Sequence, residues 1–384
     1  MTDHHDPPRP LREVGSVFLK LGTIGFGGPA AHIAMMREEV VRRRGWTTDA
    51  HFLDLVGAVN LIPGPNSTEL AIHLGYDRAR WKGLVTAGVC FIAPAFLIVL
   101  ALSWAYDRYG TTPAAANLLY GIKPVVVAIV IWALIGLLRT AVKDIVTATA
   151  AVAALAAYLL GVNELAVLAV GGLLVTAART RSAWWPRGGD GAMSVLPPAL
   201  LAAPLLPDPT TGQLARLFLA FLKIGSVLYG SGYVLLAFLR GDFVQRLGWL
   251  TESQLLDAIS IGQVTPGPVF TTATFIGYQI AGLPGAIAAT LGVFLPSFLF
   301  VALLTRIVVK IRNRAWSAGF LDGVNATALA LMAGVTVQLG RTALIDPLTV
   351  AVAAVTLILQ WRAKSNTAWY IAGGAAIGLA HMVL

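Results

Sequence analysis

Leu61-Ile62-Pro63-Gly64-Pro65-Asn66-Ser67-Thr68 interrupts one apolar stretch, and Val264-Thr265-Pro266-Gly267-Pro268-Val269-Phe270-Thr271 interrupts another. Proline removes an amide donor and breaks a helix, so each Pro-Gly-Pro predicts a broken helix. In lipid, breaks at corresponding positions of two halves point to a binding site at a repeat interface.

The two copies are one element duplicated. Adding 203 to a first-half number takes Lys20 to Lys223, Gly22 to Gly225, Gly45-Trp46 to Gly248-Trp249, Asp54 to Asp257 and Pro63-Gly64-Pro65 to Pro266-Gly267-Pro268. After one deletion the offset is 202, which matches Gly83, Pro94 and Gly121 to Gly285, Pro296 and Gly323, and sets Lys123 opposite Asn325. Prolines and tryptophans in constant register do not follow from apolar composition, so the chain is read as a gene-duplicated fold.

Composition sets the solvent. Of the 384 residues 57% are hydrophobic and 12% charged, with a mean hydropathy of +0.74; soluble domains carry about 25% charged residues. Six apolar segments fall in each half, near 14–36, 52–75, 83–105, 115–138, 145–160 and 163–178, then 214–239, 254–279, 284–305, 317–340, 345–361 and 367–384. The fold class is therefore all-α and polytopic in a membrane, with a repeat at 1–178, an Arg-, Gly- and Pro-rich cytoplasmic linker at 179–210, and a second repeat at 211–384. The net charge of +9 lies in short loops and points to membrane topology rather than nucleic acid. Cys90 is the single cysteine, so neither an internal disulfide nor a cysteine-rich metal site is available. HExxH, cysteine pairs and a Walker loop are all missing from the sequence, so no cofactor and no enzymatic activity are expected.

Loop charges give direction. Arg78, Arg80 and Lys82 follow the second segment, whereas 279–284 is uncharged; Arg108 is alone after the third, whereas its counterpart holds Arg306, Lys310, Arg312 and Arg314. Basic loops favour the cytoplasm, so the bias reverses between halves and predicts inverted topology. Arg37 and Arg42–Arg44 also belong inside. Inversion needs an odd number of crossings per half, so one of the first two segments is expected to be re-entrant, broken at Phe26-Gly27-Gly28-Pro29 or at Pro63-Gly64-Pro65.

The breaks carry chemistry. Pro29, Pro65 and Pro268 suit the first position of a new helix, whose free amides and dipole attract an anion. Asn66, Ser67 and Thr68 add donors in the first copy, Thr271 and Thr272 in the second, and Gly27, Gly28, Gly230 and Gly232 allow close backbone approach. The first copy is expected to do more of the binding. A purely structural role in kinking and packing is the other reading of these residues. Lys20, Lys223 and Lys123, with Asn325 facing the last, are candidate counter-charges, because a charge in mid-bilayer costs roughly 2.5–3.5 kcal/mol; snorkelling to the interface is the alternative. Glu69, with His73 a turn further on, can carry a coupling proton or form a structural ion pair. Asp54 and Asp257 suit caps or a gate salt bridge.

Phe26-Gly27-Gly28-Pro29-Ala30-Ala31-His32, Pro63-Gly64-Pro65-Asn66-Ser67-Thr68 and Gly121-Ile122-Lys123-Pro124 resemble the first half of the chromate ion transporter family. Gly248-Trp249-Leu250, the run from Ala258 to Pro268 and Phe294-Leu295-Pro296-Ser297-Phe298 resemble the second half of its long, two-domain form. The resemblance spans nearly the whole chain. Tyr229-Gly230-Ser231-Gly232 replaces the usual Phe-Gly-Gly, and Glu69 stands where glutamine is frequent. What the resemblance implies is antiparallel halves and export of chromate from the bacterial cytoplasm through the inner membrane, giving chromate resistance. Sulfate is the natural competitor and a homodimer the habit of such transporters. An importer or exchanger of sulfate or another oxyanion, and a non-transporting membrane scaffold, are the alternatives.

Overall fold

The computed structural model describes residues 10–60, 62–180, 212–229, 232–311, 315–363 and 366–382. Nearly all of residues 179–210, read above as the linker, falls outside them, as does Gly230. The described residues form helices and no strand. The first half runs α1 (Pro10–Ile24), α2 (Gly28–Met36) continued by the wider π turns of Arg37–Arg43, α3 (Asp49–Val59), α4 (Asn66–Tyr109), α5 (Pro113–Ala141), α6 (Ile145–Leu159) and α7 (Glu164–Thr180). The second runs α8 (Gln213–Val227), a 3₁₀ turn at Gly232–Val234, α9 (Leu235–Leu239) continued by π turns at Arg240–Arg246, α10 (Glu252–Val264), a 3₁₀ turn at Val269–Thr271, α11 (Thr272–Ile311), α12 (Ala315–Ala343), α13 (Pro347–Arg362) and α14 (Thr367–His381).

The offsets read in sequence recur in the backbone. A shift of 203 lays α1 on α8 and the π turns 37–43 on 240–246 from end to end. A shift of 202 takes the kink at Ala79–Arg80 to Ala281–Gly282, and the capping box of Asp144 and Thr147 to that of Asp346 and Thr349. Asp144 is held well below the usual carboxylate range, at about 2, first by the Thr147 amide and then by Arg179. Asp346 is lowered by the Tyr120 hydroxyl and the Thr349 amide. Both caps therefore stay ionised at neutral pH and weaken only in acid, as pH falls through their depressed values.

α4, α5, Val269–Leu303 and Ala318–Ala343 are long and apolar enough to span a bilayer, and the chain is a membrane protein of helical type. Leu291, Leu295, Leu299 and Leu303 form an exposed stripe at four-residue spacing along α11, and Val85, Val89 and Leu97 another along α4; contiguous apolar faces of this kind suit lipid contact.

Both of the first two apolar segments fold back on themselves, where one had been expected to, so the re-entrant count no longer supplies the odd number of crossings per half that inversion requires. In the first, Lys20 meets Glu39 and Glu13 meets Arg44, so α1 and α2 with its π turns run as an antiparallel hairpin. In the second, Asn66 reaches Asn60 at the tip and His51 reaches Asp77 at the open end, so α3 and the first turns of α4 form another. Arg78 joins Glu13, bringing the two open ends to one place. The hairpin tips are the glycine and proline breaks, where chain reversal needs no helical hydrogen bonds.

Packing exchanges elements between halves. α1–α4 pack with α8–α11, whereas α6 and α7 lie on α12, and α13 and α14 on α5. Small residues permit the close approach: a side chain at Gly121 would strike the backbone of Gly374 and Gly378, and one at Gly323 that of Gly171 and Gly172. The molecule thus has two groups of helices, each built from both repeats.

Candidate functional site

The hairpin tips meet at the centre. Gly64 and Gly267 adopt φ of +137° and +95°, a backbone region that favours glycine. Gly64 donates its N–H to the Leu228 carbonyl and Gly267 donates its N–H to the Gly25 carbonyl, each at 2.7 Å. Adding 203 takes Gly25 to Leu228 and Gly64 to Gly267, so one hydrogen bond is made twice, both times between halves. Residue i meeting j while the mate of j meets the mate of i is the pattern of a two-fold relation.

These tips border a cavity of about 890 Å³. Gly27 and Pro29 reach it from the first hairpin, and Pro65, Asn66 and Ser67 from the second; Gly232, from the break between α8 and α9, and Pro268 to Phe270, from the break between α10 and α11, reach it from the third and fourth tips, which match the first two by 203 residues. The opposite wall is the second half of α5, including Trp132 and Thr140, and the stretch of α12 from Asn325 to Met332. Among the described residues the wall carries neither lysine nor arginine. At the start of α4 the Thr68 and Glu69 amides turn back to the Pro65 carbonyl, leaving the Asn66 and Ser67 N–H groups without a helical acceptor. The cavity therefore offers amide and neutral side-chain donors in a mostly apolar chamber, which suits a weakly held anion.

The predicted residues divide. Gly27, Pro65, Asn66, Ser67, Pro268 and Asn325 line the cavity. Gly28 starts α2 next to it, at φ +75°. Thr68 is fully buried beneath, its hydroxyl without a partner. The Thr271 and Thr272 hydroxyls donate to the Pro268 and Val269 carbonyls at 2.8 Å, which caps the turn rather than facing the cavity. All three lysines are engaged away from the cavity. Lys20 lies 3.0 Å from Glu39 with 46% of its side chain exposed, whereas Lys223 is buried against Asp242. Lys123 on α5 lies 2.9 Å from Asp257 on α10, whose other oxygen accepts from the Tyr106 hydroxyl at 2.9 Å. Asp54 sits within α3, outside the lining. Glu69 and His73 are buried on α4 beside the tip, and among the described residues neither has an ion-pair partner.

His32 and Gln360 are polar lining residues that sequence reasoning did not single out. His32 joins two tips, with Nε2 at 2.8 Å from the Gly25 carbonyl and Nδ1 at 3.2 Å from the Ser67 hydroxyl. Its signal was its place in the Gly-Gly-Pro-Ala-Ala-His run. Gln360 is buried, and among the described residues neither of its amide atoms is partnered; a glutamine at the end of an apolar run was the cue.

Helix breaks from two repeats converging on a chamber between two helix groups define a membrane transporter. The sequence profile described as chromate transporter matches residues 12–176 and 215–379, one match per repeat, and this chain belongs to that family. It is 34% identical over 380 residues to the chromate transport protein of Cupriavidus metallidurans, covering 98% of this chain and 94% of that one. It is 32% identical to the chromate transport protein of Pseudomonas aeruginosa, covering 98% and 94%, and 31% identical to a probable chromate transport protein of Synechococcus elongatus, covering 94% and 92%. No solved structure matches.

Proposed function

We propose that this protein exports chromate from the cytoplasm across a bacterial inner membrane, as a multi-pass carrier with inverted halves, and so confers chromate resistance. The observation that carries the reading is the meeting of all four hairpin tips on one chamber lined by helix-start amides and uncharged donors. A tetrahedral dianion is held there by the Asn66 and Ser67 backbone N–H groups and the Asn325 side-chain amide, with His32 fixing the two tips that present them. Among the described residues no fixed counter-charge lines the chamber, which suits a carrier, since strong pairing would slow release.

Inversion is supported by pairs that join the start of one helix to the end of its mate. Tyr120 near the start of α5 donates to Asp346 just beyond α12, and Asp322 near the start of α12 pairs with Lys143 just beyond α5. Direction is supported by charge. The chamber is lined by the end of α5 and the start of α12, on the side of Lys143, Arg179 and the basic hairpin ends; basic segments favour the cytoplasm. Entry from inside follows, and a dianion leaving a negative interior gains roughly 4.6 kcal/mol at 100 mV.

The test is uptake of labelled chromate into proteoliposomes whose protein has its cytoplasmic face outward, with a lumen-positive potential imposed. Voltage-driven accumulation, reduced by excess sulfate and by Asn66→Ala or Ser67→Ala, is the expected result. Absence of any voltage-dependent chromate flux overturns the reading in favour of a scaffold. Flux of sulfate with none of chromate moves it to another oxyanion.

A further inference from the structure

A row of titratable side chains leads from the hairpin tips to the basic face, and the chromate-binding chamber makes no use of it. Glu69, His73 and Asp77 stand four residues apart on the first turns of α4, so they share one stripe of the helix. Asp77 in turn meets the His51 ring of α3, Oδ2 to Nε2 at 2.8 Å, and both of those side chains reach solvent. The inner end is closed off. Glu69 has no exposed surface, and His73 is 7% exposed. Among the described residues neither His73 nitrogen has a hydrogen-bond partner, and the Ser297 hydroxyl is the polar group at Glu69. A side chain at Gly64 would strike Glu69 Oε1 and the Ser297 hydroxyl, which places both at the tip that binds Leu228.

A structural ion pair does not account for Glu69, because among the described residues no base faces it. The groups around it are the Ser297 hydroxyl from α11 and the Tyr229 phenol from the third tip. His73 is faced by Asp77 on its own helix and by His51 on α3. His32 on α2 meets Ser67 on the opposite side of the tip. A buried carboxyl without a cation holds a proton rather than a charge, and a neighbouring imidazole can pass that proton on.

We propose that Glu69, His73, Asp77 and His51 form a proton path, and that the protein exchanges outgoing oxyanion for an incoming proton. Glu69 takes the proton when the tips face outward. It releases the proton through His73 and the Asp77–His51 pair to the cytoplasmic face as the carrier returns. No bond other than those to the moving proton changes. The exchange rests on the transport function proposed above.

The experiment clamps voltage at zero with potassium and valinomycin in the same proteoliposomes. The lumen is held one pH unit more acidic than the outside, and both sides are alkaline enough to keep chromate a dianion. One exchanged proton then concentrates chromate in the lumen by up to about tenfold, since one pH unit is a tenfold driving ratio. A pH dye in the lumen reports matching chromate-dependent alkalinisation. Glu69→Gln is expected to abolish both signals while voltage-driven chromate uptake persists, and His73→Asn to slow them. Wild-type protein that accumulates chromate under voltage but not under the pH gradient overturns the proton path and leaves the transport reading standing. Glu69→Gln with full pH-driven accumulation overturns it as well. Should Glu69→Gln lose all flux, His73→Asn decides: unaltered pH-driven accumulation sinks the path, and selective loss supports it. Failure of both driving forces in the wild type is the failure of chromate transport itself.

Discussion

Lys223→Met is expected to destabilise the protein by about 3 kcal/mol, at the lower end of the range for breaking a buried ion pair, whereas Lys20→Met is expected to cost roughly 0–1 kcal/mol. The two lysines occupy the same register of the two repeats, but their surroundings differ. Lys223 and Asp242 have side chains 3% and 5% exposed, and removing the lysine leaves a carboxylate that water cannot reach. Arg246, 2.9 Å from the other Asp242 oxygen, keeps the cost from the top of the range. Lys20 is nearly half exposed, and its partner Glu39 also meets Arg44 at 3.1 Å. Thermal unfolding in detergent reads the difference. The double change Lys223→Met with Asp242→Asn is expected to recover most of the loss, because it removes both buried charges. Equal effects at positions 20 and 223 would mean that the lysines act through a shared ligand rather than through these pairs.

That contrast shows where the sequence stops speaking. The constant offset gave the register of Lys20 and Lys223, and the structure keeps it to the residue in α1 and α8. Register does not report burial. Glu39 and Asp242 also correspond by the same 203 residues and both are buried, but whether water reaches the lysine that each one meets depends on which helices cover the hairpin. The breaks at Pro63-Gly64-Pro65 and Pro266-Gly267-Pro268 were legible because proline and glycine act locally. The bonds that tie them to Leu228 and Gly25 were not, since they join residues 164 and 242 positions apart. The count of re-entrant segments failed for a related reason. Hydropathy sees one apolar run in 14–36 and another in 52–75, and only the pairs Glu13–Arg44 and His51–Asp77 reveal that each run returns to its starting side. The exchange of α6 and α7 onto α12 was equally hidden, because glycines such as Gly323 and Gly171 are common in membrane helices and meet only in three dimensions.

The pair Lys123–Asp257 has the same chemistry as Lys223–Asp242, but it joins the two helix groups instead of lying within one. Lys123 belongs to α5, and Asp257 and Tyr106 belong to α10 and α4, so the contact closes the side of the molecule opposite the open chamber. At the repeat-matched place on α12 stands Asn325, which lines the chamber and carries no charge. The asymmetry predicts that the Lys123–Asp257 pair is an ion-pair lock on the side away from the chamber. Lys123 and Asp257 side chains are 18% and 6% exposed, so Lys123→Ala removes a largely buried pair and favours the outward-open arrangement by roughly 3 kcal/mol, about a hundredfold in population. A cysteine placed at Asn325 in a Cys90→Ala background provides the readout. Its labelling from the cytoplasmic side is expected to fall in Lys123→Ala, and chromate flux with it by about tenfold or more. The charge exchange Lys123→Asp with Asp257→Lys is expected to restore both in part, because the attraction does not depend on which helix carries which sign. Labelling at position 325 that ignores the state of Lys123 would show that the pair braces the fold without gating the chamber.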